Sequence, residues 1–240
     1  MVPTPATSTL LVTGAGTGLG AAIARAAASA GFHLALHAHR HVEAAAKLAA
    51  ELEETCGLSA QVFPGDLADP LASFALAEEV CRWRPPTHFV ANAAVFPKTQ
   101  IDNLASWRHA DTTFSINCLS AMRTFAALRS HAPLRSAVFI TDARAAGAWP
   151  DHSVYLATKA ALESFVRSAA VACAPALRVN AVAPGPIEGT PLSERLLARL
   201  PQGRAVSQAA VVAATLWLLS DEADSVTGHV LRVDGGRSLA

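Results

Sequence analysis

A glycine-rich segment near the start of the chain constrains the fold more than any other feature. It reads TGAGTGLG from Thr13 to Gly20, directly after the apolar residues 10–12 and before an alanine-rich helical pattern that ends near Gly31. Glycines permit a tight turn and a close approach to the backbone, and free N–H groups at a helix start bind phosphate. A strand, this turn and a helix in that order predict the first unit of a dinucleotide-binding sheet. The cofactor contacts predicted in this segment are Gly14, Thr17, Gly18, Leu19 and Gly20.

Short apolar segments and amphipathic segments alternate along the rest of the chain, as in parallel βαβ units. With 240 residues, of which 52% are hydrophobic, one large α/β domain can bury both faces of a sheet. We predict a single-domain Rossmann fold with a doubly wound parallel sheet of about seven strands, whose ligands lie at the carboxyl ends of the strands. A flexible tail is predicted at residues 1–9. Further strands are predicted at 32–37, 60–63, 88–91, 137–140, 177–182 and 230–233, and further helices at 42–54, 71–81, 116–128, 154–172 and 208–219.

The composition excludes several classes of partner. Lys plus Arg and Asp plus Glu are equal at 19 each, which argues against nucleic acid or an anionic membrane as a partner. We find no apolar run of about 18 residues and no signal-peptide pattern at the start of the chain. The four cysteines are scattered without a CxxC spacing, which is typical of reduced thiols and predicts no metal site. We therefore expect a soluble, cytoplasmic protein that binds small molecules.

The end of the second predicted strand indicates which dinucleotide is bound. An acidic residue that holds the adenine ribose usually stands there, whereas this chain reads HAHR from residue 37 to residue 40. A guanidinium clamps a phosphate through charged hydrogen bonds, and a carboxylate would repel it. NADP(H) is therefore favoured over NAD(H), with Arg40 as the ligand of the 2′-phosphate. Further contacts on the adenine side are predicted at His37, His39, Asp66 and Leu67.

The sequence also contains a candidate proton donor. Tyr155 is the only tyrosine of the chain, and Lys159 stands four residues later, on the same face of a predicted helix. An ammonium beside a phenol lowers the pKa of the phenol from about 10, which permits proton exchange near neutral pH. An exposed i,i+4 pair is the simpler interpretation of this spacing alone.

The glycine turn, Asn92-Ala93-Ala94, YxxxK, the segment RVNAVAPG and the terminal VDGG occur in that order. With these motifs the chain resembles the short-chain dehydrogenase/reductase superfamily from Thr13 to Gly236. The resemblance implies a Rossmann fold, usually a homotetramer, with Tyr155 as general acid and Lys159 on the nicotinamide ribose. It also implies that Asn117 holds a water molecule of the proton relay, and that the cofactor is contacted by Asn92, Ala93, Pro184, Gly185 and Ile187.

One position departs from the family pattern. The family's serine stands thirteen residues before the tyrosine, where this chain has Asp142. An ionised carboxylate only accepts hydrogen bonds. Two like charges about 4 Å apart repel by roughly 4 kcal/mol at an effective dielectric of about 20, which penalises a developing alkoxide. Ketone reduction is therefore disfavoured unless Asp142 stays protonated, whereas a C=N bond in a ring that carries N–H donors suits this carboxylate.

The Asp–Tyr–Lys pattern and the HxHR segment resemble the pteridine reductases and the dihydromonapterin and dihydrofolate reductases of the same fold. Phe96 matches the aromatic residue that stacks on the pterin in that group, although Gly18 stands where those reductases commonly carry an arginine. The segment 186–203 is predicted to form a substrate lid, because long Pro/Gly-rich loops in compact domains are usually functional. The substrate contacts predicted are Phe96, Asp142, Tyr155, Pro186 and Leu192.

Three functions follow from these patterns. The first is reduction of a pterin C=N bond by NADPH. The second is a general carbonyl or 3-oxoacyl-ACP reductase, in which Thr141 or a protonated Asp142 replaces the serine. The third is an NADP(H)-binding sensor or scaffold without catalysis, which the missing serine suggests.

Overall fold

Seven parallel strands form one sheet at the centre of the molecule. The computed structural model describes residues 8–190, 192 and 194–239. The strand order in the sheet is β3-β2-β1-β4-β5-β6-β7. The predicted doubly wound sheet is confirmed, because the order reverses direction after β1. The strands are β1 (Thr9–Val12), β2 (His33–Ala38), β3 (Ala60–Pro64), β4 (His88–Ala91), β5 (Ser136–Ile140), β6 (Arg178–Pro184) and β7 (Val230–Val233).

Helices cover both faces of this sheet. Alternate strand residues point to opposite faces, so Leu11, Phe89 and Phe139 belong to one core and Leu10 and Val12 to the other. The first core is completed by α3, α5 and α6, and the second by α1, α2 and α8. The helices are α1 (Gly18–Ser29), α2 (Val42–Cys56), α3 (Ala72–Trp83), α4 (Ala110–Phe114), α5 (Ser120–His131), α6 (Ser153–Cys173), α7 (Glu194–Leu197) and α8 (Gln208–Leu219).

The start of β1 corrects the predicted tail. Ser8 and Thr9 are each only 2% exposed, and Thr9 pairs with His33 as the first residue of β1. The carbonyl of Ser8 also accepts a hydrogen bond from the His33 N–H at 2.9 Å. The prediction of a flexible tail is therefore wrong for these two residues, because pairing with β2 satisfies their backbone groups. Residues 1–7 lie outside the described residues.

The predicted helix 116–128 begins earlier than its sequence pattern indicates. Helical structure is continuous from Ala110 to His131, with a π-helical turn at Ser115–Leu119 between α4 and α5. Such wide turns inside helices occur frequently at functional sites. Asn117 lies within this turn and is buried.

The described residues contain no helix that is long and apolar enough to cross a membrane. In the same part of the chain, we find no group of three or more His, Cys, Asp or Glu side chains that could hold a metal ion. The four cysteines are free thiols, of which Cys118 and Cys173 are buried.

Candidate active site

The glycine turn follows β1 and packs tightly against its neighbours. Gly14 has a φ of +67°, and a Cβ there would lie 2.9 Å from the Ala93 Cα. A Cβ on Gly20 would lie 2.2 Å from the Gly14 carbonyl oxygen, so α1 can approach the turn only without side chains at these positions. Thr17 precedes α1 and makes no side-chain capping hydrogen bond. The N–H groups at the start of α1 thus remain available to an anion, as the cofactor prediction requires.

Asn92, at the end of β4, holds this turn in place. Its Nδ2 group donates to the carbonyl oxygens of Thr13 (3.0 Å) and Gly14 (3.1 Å). The Thr13 hydroxyl accepts from the N–H groups of Asn92 (3.0 Å) and Ala93 (3.1 Å). These hydrogen bonds join the carboxyl ends of the neighbouring strands β1 and β4. The Asn92 side chain therefore stabilises the glycine turn.

A first cleft of about 440 Å³ opens above the carboxyl ends of β1, β2 and β4. The structure brings nine of the predicted cofactor contacts to it, whereas Gly18 and Gly20 do not line it. Gly18 has a φ of +57°, which favours glycine, and a Cβ on Gly20 would clash with the Gly14 carbonyl oxygen. Both residues therefore shape the turn. The nine residues are Gly14, Thr17, His37, His39, Arg40, Asp66, Leu67, Asn92 and Ala93.

His37 differs in character from its neighbours in this cleft. Its Nδ1 accepts from the Gly14 N–H at 3.3 Å, and its Nε2 lies 3.0 Å from the Gly65 carbonyl oxygen. Burial lowers the pKa of His37 to about 4. A neutral imidazole with its proton on Nε2 satisfies both contacts, so this side chain stabilises the turn and brings no charge to the cleft.

Arg40 and His39 are exposed at the rim of the first cleft. The Nδ1 of His39 lies 3.6 Å from Asp66 Oδ1, and that oxygen accepts from the Ala68 N–H at 2.9 Å. Arg40 forms no salt bridge with any described residue.

A second cleft of about 450 Å³ continues the first, since Asn92 and Ala94 line both. It contains Asp142, Tyr155 and Lys159. Sequence reasoning missed Arg144, Trp149 and Arg237 in this cleft, because no motif marks them. Thr190 also lines the cleft. The other predicted residues that line it are Leu19, Phe96, Pro184, Gly185, Pro186, Ile187 and Leu192.

Asp142 and Tyr155 share a hydrogen bond at the centre of this cleft. The Tyr155 hydroxyl donates to Asp142 Oδ2 at 3.1 Å, and Asp142 Oδ1 accepts from the Arg144 N–H at 2.8 Å. Burial raises the pKa of Asp142 above its usual range. Burial and then the Asp142 carboxyl raise the pKa of Tyr155 well above 10. The predicted direction for Tyr155 is therefore wrong, since both groups are pushed towards their protonated forms.

Lys159 lies one helical turn beyond Tyr155 and is fully buried. Its Nζ donates to the Ile140 carbonyl oxygen at 2.8 Å and lies 5.7 Å from the centroid of the Tyr155 ring. Burial lowers the pKa of Lys159 to about 8. The ammonium is therefore mostly protonated at neutral pH, while burial and the Asp142 carboxyl set the direction of the Tyr155 pKa shift.

Asn117 approaches the site from the π-helical turn without lining either cleft. Its Oδ1 accepts from the Val95 N–H at 2.7 Å, and its Nδ2 donates to the Val95 carbonyl oxygen at 2.8 Å. The side chain therefore fixes the segment between Asn92 and Phe96. Its predicted water contact stays a prediction.

Phe96 belongs to an aromatic cluster that sequence reasoning did not find. Its ring is 51% exposed and stacks on His152 at 3.9 Å, with an interplanar angle of 13°. Tyr155 meets it edge to face at 4.6 Å, and Trp149 lies 5.2 Å away. One face of Phe96 is thus covered by His152, so a flat ligand must use the opposite face.

The predicted lid contributes to the second cleft through its first residues. Ile187 forms a bridge with Val206, and α7 lies within the segment. Leu192 and Thr190 line the cleft, while residues 191 and 193 lie outside the described residues. Closure of the segment over a substrate stays a prediction.

Comparison with known proteins agrees with this arrangement. A family model described as Enoyl-(Acyl carrier protein) reductase matches residues 14–238. The 1-cyclohexenylcarbonyl-CoA reductase of Streptomyces collinus is 31% identical over 82% of this chain and 75% of that protein. A putative short-chain alcohol dehydrogenase from Sinorhizobium meliloti has 28% identity and a TM-score of 0.87, over 97% of both chains. FolM alternative dihydrofolate reductase 1 from Brucella canis, complexed with NADP, has 29% identity and a TM-score of 0.89 over 98% of this chain and 96% of that one. The chain therefore belongs to the short-chain dehydrogenase/reductase superfamily and is an NAD(P)-dependent oxidoreductase.

Proposed function

We propose that this protein reduces a C=N bond of a pterin with NADPH. One observation carries the proposal: the Tyr155 hydroxyl is hydrogen-bonded to the Asp142 carboxyl at 3.1 Å, in the cleft that also contains Lys159. A carboxyl can accept from ring N–H and amino groups, and when protonated it can donate to a ring nitrogen. A serine hydroxyl at this position suits a ketone oxygen better.

The two clefts fit a nicotinamide dinucleotide, because the glycine turn leaves helix N–H groups free and the groove continues to Tyr155. Bound NADPH would supply the hydride. Asp142 would orient the substrate ring by accepting from its N–H donors, and Tyr155 would hold the proton to be delivered. Lys159 would bind the nicotinamide ribose, and the part of Phe96 that His152 leaves uncovered would pack on the substrate ring.

The similarity to FolM alternative dihydrofolate reductase 1 supports the pterin assignment, since dihydrofolate contains a pterin ring. The runner-up is a reductase of carbonyl or acyl thioester substrates, which the 1-cyclohexenylcarbonyl-CoA reductase favours. Thr141 does not suit the role of the missing serine in that alternative, because its hydroxyl points to Glu163 Oε1 and to the Val182 carbonyl oxygen, both at 3.4 Å.

The test is a substrate panel with NADPH, containing dihydropterins, ketones, and 3-oxoacyl and enoyl thioesters. At a pH above the raised pKa of Asp142, we expect kcat/KM for a dihydropterin to exceed that for any ketone by at least about 100-fold, since the ionised carboxylate repels a developing alkoxide. The loss of NADPH absorbance measures the rates. Faster turnover of a ketone or thioester than of every dihydropterin would establish the runner-up instead.

We further propose NADP(H) as the cofactor, with Arg40 on the 2′-phosphate. Replacement of Arg40 by glutamine is expected to raise KM for NADPH by about 10- to 100-fold, the effect of losing one charged hydrogen bond. KM for NADH should not change, because NADH has no phosphate at that position. The matched control is Arg82→Gln, an exposed arginine on α3 that lines neither cleft. An equal loss of affinity for both cofactors would contradict the assignment.

We also propose that the protein acts in the cytoplasm as a homotetramer. The free, scattered thiols support the location. The superfamily supports the tetramer.

A further inference from the structure

A third cleft, of about 700 Å³, is lined by four arginines. It lies beside the second cleft, which we call the catalytic cleft because it contains Asp142, Tyr155 and Lys159. We refer to the third cleft as the arginine pocket. Arg144 comes from the loop after β5, Arg199 from the segment after α7, Arg232 from β7, and Arg237 from the chain after β7. Positions so far apart in sequence meet because β5, β6 and β7 are neighbours in the sheet.

The charges of the arginine pocket are not neutralised by close partners. Within the described part of the chain, none of its four guanidinium groups forms a salt bridge, although Arg25 and Arg135 do so elsewhere. Burial and then the nearby charge of Arg237 lower the pKa of Arg144. The carboxyl groups whose charges interact with these arginines are Asp142 with Arg144, and Glu163 and Asp234 with Arg232. Like charges gathered in one concave site create a strongly positive potential that favours an anion.

The arginine pocket adjoins the catalytic cleft, and two residues, Arg144 and Arg237, line both. Arg144 lies 4.3 Å over the Trp149 ring, and its Nη2 donates to the Ala148 carbonyl oxygen at 2.6 Å, so its position is well defined. A substrate tail that starts beside Tyr155 would pass Arg144 to enter the arginine pocket.

We propose that the arginine pocket binds an anionic tail of the substrate, bearing carboxylates or phosphates, while the reacting ring lies beside Tyr155. Guanidinium groups bind both kinds of anion through paired hydrogen bonds. The inference rests on the proposed function only for the identity of the ring. It adds that the substrate is a tailed molecule, and that Arg199 and Arg232 determine specificity from outside the catalytic cleft.

The test compares Arg199→Gln/Arg232→Gln with a control of equal charge change, Arg82→Gln/Arg129→Gln. The control arginines are exposed and line neither the catalytic cleft nor the arginine pocket. Calorimetry on the NADP-loaded protein measures binding of two probes, p-aminobenzoyl-L-glutamate for a dicarboxylate tail and coenzyme A for a phosphate tail. We expect one probe to bind, with Kd raised at least about tenfold in the pocket variant and unchanged in the control.

Kinetics provide the second readout. For dihydrofolate, which has a glutamate tail, we expect the pocket variant to raise KM without lowering kcat, whereas KM for tail-free dihydrobiopterin stays the same. Binding of a probe without dihydropterin turnover would uphold the arginine pocket and overturn the pterin assignment. If only coenzyme A binds, the tail is a phosphate carrier.

Three results would overturn the proposal: neither probe binds, both variants bind the probe as the original protein does, or the pocket variant changes only the subunit number seen by light scattering. If the double variant does not fold, Arg232→Gln alone replaces it, because this exposed side chain lies on the edge strand β7. The same probe measurements then decide.

Discussion

Tyr155→Phe is expected to lower kcat for reduction by about 10²- to 10⁴-fold, the usual contribution of a positioned general acid. The phenol donates a hydrogen bond to the Asp142 carboxyl, and phenylalanine keeps the ring while removing the O–H group. The affinity of the variant for NADPH, measured by fluorescence titration, should stay within about twofold of that of the original protein. Phenylalanine keeps the aromatic ring and its packing contacts. Unimpaired turnover by this variant would show that Tyr155 is not the acid.

The same residue allows a direct measurement of its protonation. Tyr155 is the only tyrosine, so phenolate absorbance during an alkaline titration reports this one group. We expect a pKa well above 10 in the cofactor-free protein, because burial and the Asp142 carboxyl both disfavour the phenolate. Tyr155→Phe is the control, since it removes the signal. A titration near the usual value would indicate that the phenol is better solvated than the structure shows.

Asp142→Ser is expected to lower dihydropterin turnover by about 10²- to 10³-fold, the effect of removing one hydrogen-bonding group from a catalytic site. The serine hydroxyl has one oxygen, whereas a carboxylate presents two oxygens to a pair of ring donors. At a pH above the Asp142 pKa, ketone turnover should rise in the same variant, because a hydroxyl donates to a developing alkoxide whereas the ionised carboxylate repels it. The ratio of the rates with one dihydropterin and one ketone, compared between the variant and the original protein, measures the change in substrate specificity.

Asp142→Asn serves as the isosteric control, since it keeps the shape of the side chain but cannot ionise. Burial raises the pKa of Asp142, so the protonated form persists to higher pH than in an ordinary carboxyl. If this form donates a proton, turnover is highest below that pKa and falls as the pH rises through it. The asparagine variant should lack this fall. Intact dihydropterin turnover in the serine variant, with ketone turnover already high in the original protein, would refute the role.

The third hypothesis, a sensor or scaffold without catalysis, is not supported. The family assignment makes the chain an oxidoreductase, and Tyr155, Asp142 and Lys159 line one cleft. Cofactor binding alone does not require a buried phenol beside a carboxyl. Catalysis by Tyr155 is tested by the first prediction above.

The sequence by itself determined the fold class and the order of the motifs. Alternation of apolar and amphipathic segments predicts parallel βαβ units. The structure contains the seven-stranded sheet that these units form. The glycine turn could be found because its geometry depends on local backbone freedom, as the contacts around Gly14 and Gly20 demonstrate. Tyr155 and Lys159 could be paired because helical spacing relates them.

Tertiary structure alone decided the properties that depend on distant residues. The pKa of Tyr155 rises because packing buries the phenol beside Asp142, whereas the i,i+4 spacing to Lys159 predicted the opposite direction. Ser8 and Thr9 join the sheet because β2 provides their hydrogen-bonding partners. Arg144 and Arg232 meet in one pocket because the sheet places the ends of β5 and β7 close together, and no local pattern encodes that proximity. Burial and contacts between distant residues depend on how the whole chain packs, so local sequence patterns do not predict them.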